Sequence, residues 1–179
     1  MTILGRYQVT RNTNSLVGRS WWAGFQERLS HNPAFGFEQM RGSIHHLDLT
    51  VKNPWASCTF YDAVLGFMGY RRVREDARGI DWEKTLPDGS LVSIGVMKTE
   101  GAGQLQLHNR YVPGLHHVAW TADSREDVDR LGELLRQIGA TMLDVPADYP
   151  AYAEGYYAVF FADPDGIKLE FVCQPSRSS

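Results

Sequence analysis

One sequence feature governs what this chain can fold into: it repeats itself. The segment SIHHLDLTV (43–51) returns as GLHHVAWTA (114–122), LGFMGYRRV (65–73) as LRQIGATML (135–143), and LPDGSLVSI (86–94) as DPDGIKLEF (163–171). Three matches in one order, at nearly constant separation, define two copies of a single module, and a repeated unit fixes architecture before local propensity does. Each copy opens on an alternating strand, with His46, Asp48 and Thr50 on one face and Leu47, Leu49 and Val51 on the other. A helix follows. In the first copy it starts near Pro54, well placed in a first turn, and carries Ala56, Phe60 and Val64 on one face. In the second, Ser124 and Asp127 form a capping-box-like start, Val128, Leu131, Leu134 and Leu135 face inward, and Gly139 ends it. Three strands complete each copy, the last two joined by a Pro-Asp-Gly turn. The order is βαβββ twice, an α+β fold.

This arrangement divides the chain into an N-terminal arm (1–42), a first module (43–97), a linker (98–113), a second module (114–174) and a tail (175–179). The first 39 residues have Arg6, Arg11, Arg19 and Arg28, no lysine, and only Glu27 and Glu38 as acids. That composition is shared by organellar transit peptides, but it lacks the apolar stretch of a secretion signal. An arm packed through Trp21, Trp22 and Phe25, or a translation start upstream of Met40, accounts for it more simply. The chain's 43% hydrophobic and 22% charged residues are globular values. Lys+Arg 18 against Asp+Glu 21 gives a net charge of -3, which offers no basic excess for a phosphate backbone and argues against a nucleic-acid partner. The longest apolar run, Tyr156 to Ala162, is far short of the roughly 20 residues of a membrane helix. Two cysteines, Cys58 and Cys173, make no disulfide framework and fit a reducing, cytoplasmic setting.

The chemistry concentrates on the opening and closing strands. The pairs His45–His46 and His116–His117 occupy matched positions, and alternation sends one member of each pair to either face. In IKLEFV, Leu169 and Phe171 take the core face while Lys168, Glu170 and Val172 take the other. The polar faces thus carry His46, His117 and Glu170, a donor set suited to a divalent metal with open positions. Two imidazoles and a carboxylate favour Fe(II) or Mn(II), with Zn, Ni or Co also compatible. Asp48, Trp82 and Ser93 are candidates for the substrate pocket; Tyr156, Tyr152 and His108 are candidates for the proton-transfer group.

These residues resemble the vicinal oxygen chelate superfamily, which includes glyoxalase I, extradiol dioxygenases, methylmalonyl-CoA epimerase, and fosfomycin and bleomycin resistance proteins. The resemblance spans about residues 43–174, and FFADPDGIKLEFV is its most specific stretch. It implies two βαβββ modules forming a cupped mixed sheet with the helices outside and a metal in the cup. It selects His46 and His117 over His45 and His116, because the family's histidine lies five residues before a small apolar residue, as these do before Val51 and Ala122. It selects Glu170 because the family's carboxylate lies four residues after the turn glycine, here Gly166. A small-molecule substrate that chelates the metal through adjacent oxygens is implied, in a monomer or a homodimer. A non-catalytic protein of the same fold that sequesters a small molecule is the alternative.

Two departures narrow this. Four residues after Gly89 stands Ser93, where glyoxalase I-like enzymes carry a further ligand that takes part in proton transfer. The stretch YPAYAEGYYAVFF contains no histidine, and Phe160 stands about where extradiol dioxygenases have a tyrosine. The purified protein is therefore expected to give negligible isomerisation of the methylglyoxal–glutathione hemithioacetal, followed by absorbance. Robust turnover would mean that Ser93 does not stand in for a needed carboxylate.

Overall fold

The structure, a computed structural model, describes residues 42–175. The readings of an N-terminal arm and of the last residues lie outside the described residues. From Ile44 onward the chain forms one compact unit. Its elements are β1 (His46–Val51), α1 (Pro54–Phe67), β2 (Arg71–Asp76), β3 (Gly79–Thr85), β4 (Leu91–Lys98), a 3-10 turn (Gly101–Leu105), β5 (Val118–Thr121), α2 (Arg125–Gln137), β6 (Thr141–Asp148), β7 (Tyr157–Ala162) and β8 (Lys168–Cys173). This is the α+β, twice βαβββ order expected from the repeat.

Local chemistry sets the helix ends. The Asn53 side chain accepts from the Trp55 and Ala56 amides ahead of Pro54, and Ser124 accepts from the Asp127 amide at 3.2 Å. The buried face of α1 runs Pro54, Ser57, Phe60, Tyr61, Val64 and Leu65. Ala56, expected on that face, is exposed, because the stripe set by the adjacent pairs Phe60–Tyr61 and Val64–Leu65 extends back through Ser57 and Pro54 instead.

Each module forms its own four-stranded sheet, β1-β4-β3-β2 and β5-β8-β7-β6. The pairs β1–β4 and β5–β8 are parallel and the rest antiparallel, so both sheets are mixed. One face of the first sheet carries Leu49, Val51, Ile80, Trp82, Ile94 and Val96 against α1; one face of the second carries Val159, Phe161, Leu169 and Phe171 against α2. All belong to a single core. Phe60 of α1 lies 6.2 Å from Phe161, and Phe67 lies 6.0 Å from Phe171, ring centroid to ring centroid. Within one chain the two sheets therefore meet through their helix-bearing faces, and each turns its other face, here termed the open face, away from the shared core. Among the described residues no helix is long and apolar enough to cross a membrane.

Polar contacts reinforce the joint. The Tyr61 hydroxyl donates to Asp163 Oδ2 at 2.7 Å, and the Lys52 amide donates to Asp165 Oδ2 at 2.7 Å. Burial, and secondarily the neighbouring Asp163 carboxylate, pushes the Tyr61 phenol well above its ordinary value. A phenol raised in the folded state contributes stability that is complete below about pH 10 and is lost as pH rises toward its folded value. Tyr61→Phe should cost about 1.5–3 kcal/mol in urea unfolding at neutral pH, since a buried carboxylate loses a donor. The same variant should lose less further stability than the native chain on going above pH 10. Parallel pH dependence in the two proteins would show that Tyr61 is not the alkaline-sensitive group at the joint.

Candidate functional site

The open face of the second sheet holds the densest polar cluster among the expected site residues. Glu170 on β8 pairs in register with Ala119 of β5 and Phe160 of β7, yet its side chain is almost fully enclosed at 2% exposure. Its cover is the loop between β6 and β7. The Tyr149 amide donates to the Tyr156 carbonyl at 2.8 Å, and the Tyr152 amide to the Tyr149 carbonyl at 3.0 Å, which closes the loop on itself. Tyr149 meets Phe160 edge-on at 5.0 Å, and Tyr152 stacks on Tyr149 and meets Tyr156 edge-on at 5.3 Å. Beneath this aromatic layer the Tyr156 hydroxyl donates to Glu170 Oε1. The other carboxylate oxygen, Oε2, lies 3.1 Å from His117 Nε2. His117 Nδ1 is engaged in turn with His116 Nδ1 at 2.7 Å, leaving Nε2 as the nitrogen on the Glu170 side. Burial, then the bond to Glu170, pushes the Tyr156 phenol well above its usual range, so it keeps its proton at neutral pH and serves Glu170 as a donor.

The first sheet offers a different open face. His46 is exposed and pairs in register with Ser93, which pairs in turn with Glu83 of β3. In the next row Asp48 crosses over Gly95 toward Asp81, whose carboxylate is gripped through both oxygens by Arg74 at 2.6 and 2.9 Å. A side chain at Gly95 would meet Asp48 Oδ1 at 2.2 Å, so the close approach of that carboxylate depends on glycine. The two modules differ in register. Ser93 pairs with His46, whereas Glu170, at the same place after its turn, pairs with Ala119, two residues beyond His117. Continued one step past the Val118–Leu169 pair, this register sets His117 level with Lys168 and diagonal to Glu170, whose Oε2 its Nε2 faces.

The structure thus brings together His117, Glu170 and Tyr156, with Tyr152 at the exposed rim. It does not bring His46 to them: among the described residues no three His, Cys, Asp or Glu side chains gather as a metal-holding group. The cause is the shared core, which turns the two open faces away from each other. Asp48 and Ser93 share the open face with His46. Trp82 does not line a pocket. It sits on the core side of β3 at 1% exposure, 5.8 Å from the Tyr61 ring, with its indole N–H donating to Asp62. Its neighbours Asp81 and Glu83 take the open face, so Trp82 has to take the other. His108 makes no hydrogen bond to the Glu170 cluster; its amide donates to the Asp165 carbonyl at 2.9 Å, docking the linker on the β7–β8 turn. Tyr149, one of the tyrosines whose crowding before β7 marked them as able to complete a pocket, and Lys168, which sequence reading left without a role, complete the surroundings of Glu170. The alternation of IKLEFV was the available signal for the lysine.

With this geometry the similarities to known proteins can be read. Residues 43–171 match the model of the Glyoxalase/Bleomycin resistance protein/Dioxygenase superfamily, and the chain belongs to that superfamily. The Bacillus subtilis (strain 168) protein YqjT, uncharacterized, is 33% identical over 129 residues, covering 72% of this chain and 97% of that protein. A glyoxalase-like protein of known crystal structure from Bacillus halodurans is 31% identical, with a TM-score of 0.64 over 75% of this chain and 98% of that one. A lactoylglutathione lyase from Agrobacterium tumefaciens, 16% identical with a TM-score of 0.52 over 74% of this chain and 93% of that one, shares the fold.

The different burial of the candidate residues separates their mutational behaviour. Trp82→Ala should cost about 3–5 kcal/mol in urea unfolding, as a large side chain leaving a core does. Ser93→Ala should stay within about 0.5 kcal/mol, as for a substitution on an open face. Similar costs for the two would contradict the assignment of Trp82 to the core.

Proposed function

We propose that the protein is a metal-dependent enzyme of glyoxalase/dioxygenase type, acting on a small molecule that presents adjacent oxygens, and that each metal centre is shared by two copies of the chain. The observation that carries this reading is the pairing of His117 with Glu170. Among the described residues, a carboxylate enclosed at 2% exposure has for side-chain partners only a half-exposed imidazole and a phenol, an expensive arrangement unless a cation joins it. His117 Nε2 and both oxygens of Glu170 have the donor chemistry of a divalent-cation site, so the residues present fit such a group as two of its ligands. His46, in the matched position of the first module, is the third.

Sheet order supports a shared centre. β1 and β5 are both edge strands, each with one side unpaired among the described residues, and each leads in from a histidine pair. In a two-fold dimer, what one copy does to its mate the mate does in return, so His46 of each copy would meet His117 and Glu170 of the other and two centres would form. Fe(II) or Mn(II) suits two imidazoles and a carboxylate. A bound cation supplies Lewis-acid stabilisation of negative charge developing on substrate oxygen.

The protein's own groups then have distinct tasks. Tyr156 fixes the Glu170 carboxylate by donating to Oε1, which leaves Oε2 on the His117 side. Tyr149 and Tyr152 wall off water above it. Ser93, beside His46, provides a hydroxyl and no carboxylate, so the first module contributes one strong ligand.

Complementation tests the shared centre. His46→Ala and Glu170→Gln, each alone, should abolish stoichiometric Mn(II) uptake measured by elemental analysis after gel filtration. Refolding the two variants together should restore roughly a quarter of the native sites, because half of the dimers are mixed and each mixed dimer has one intact centre. No recovery, with dimers formed, would mean that the ligands are not drawn from two chains.

A further inference from the structure

Lys168 opens β8 two residues before Glu170 and faces the same way. Its ammonium lies 4.0 Å from the centre of the Phe160 ring, the ring that pairs in register with Glu170. None of the ion pairs among the described residues includes it. The contrast with the first sheet is plain: there Arg74 is committed to Asp81 through two bonds and to Asp76 as well. Along β5, β8 and β7 the register puts Lys168 on the open face as the lone lysine or arginine of those strands.

An ammonium has three N–H donors and no acceptor, and an aromatic face satisfies its charge without using those donors. Phe160 is 2% exposed and held by Tyr149 from the side, so it is a fixed platform for the lysine stem. Continued one step past the Val118–Leu169 pair, the slipped register sets His117 level with Lys168. A positive charge with no side-chain hydrogen-bond or ion-pair partner among the described residues therefore stands on the same face as the Glu170 carboxylate, two residues along β8 from it. A negatively charged ligand approaching Glu170 would otherwise meet only repulsion from it. Lys168 offsets that charge on the open face.

We propose that Lys168 anchors a carboxylate of the ligand, so that the substrate class is a small oxo or hydroxy acid whose adjacent oxygens include a carboxylate. This rests on the reading of His117 and Glu170 as a metal-binding pair and adds the charge of the molecule bound there.

Oxalate, the simplest dianion with adjacent oxygens, is a suitable probe, titrated calorimetrically into the full-length protein loaded with Mn(II). Lys168→Met should raise the oxalate Kd about tenfold, while the Mn(II) Kd stays within about twofold of the native value; Lys168→Arg, which keeps the charge, should stay close to native for both. Unchanged oxalate affinity in Lys168→Met, with Mn(II) bound normally, overturns the lysine anchor and leaves the metal-site reading standing. Equal weakening of Mn(II) and oxalate in that variant also overturns it, by showing that the lysine shapes the centre and does not hold the anion. Failure of the native protein to take up Mn(II) removes the metal-site reading, and the lysine assignment falls with it.

Discussion

The joint between the modules is made where the hydroxyl of Tyr61, on the first module's helix, reaches Asp163, in the second module's last turn. A buried carboxylate is tolerated only when its oxygens are satisfied, and Asp163 also accepts from the Asp165 and Ile167 amides. Burial still pushes its pKa upward, which marks how far from water the joint lies. The corresponding residue in the first module's turn is Leu86, so the two Pro-Asp-Gly turns do different work. One closes a hairpin. The other closes a hairpin and ties the modules together.

From that joint the rest of the architecture follows. Helix-bearing faces pressed into one core leave the open faces pointing outward, and leave β1 and β5 as edges. The carboxylate that the second module contributes is hidden from solvent under a loop of three tyrosines from the same module. Separation of His46 from Glu170 follows from that packing, whereas the enclosure of Glu170 is the work of the second module's own loop.

Much of this was legible in the sequence, and the part that was not has a physical cause. The repeat announced the two βαβββ units, and strand alternation put His117 and Glu170 on one face. Alternation also contained the answer for Trp82: flanked by Asp81 and Glu83, it had to face inward. What periodicity cannot carry is which two faces of separate sheets will meet, because an apolar stripe is the same stripe whatever covers it. Nor could it announce that Tyr149 and Tyr156 would fold over Glu170, since loop contacts follow no period. The place of His108 follows no period either: the linker's course there is set by a backbone bond to Asp165.

The register slip between the modules bears on how such a chain could diverge after duplication. Sliding one strand past its neighbour by a single residue would invert every side chain and expose the core. Sliding by two restores each residue to its side, so the hydrophobic bookkeeping is unaffected while a histidine moves about 6.6 Å along the sheet relative to its neighbour. Such a chain can change the spacing of its functional groups only in even steps, each neutral for folding and abrupt for chemistry. The twin copies record one such step: an imidazole level with a serine hydroxyl in one, and in the other an imidazole level with a lysine and diagonal to a carboxylate.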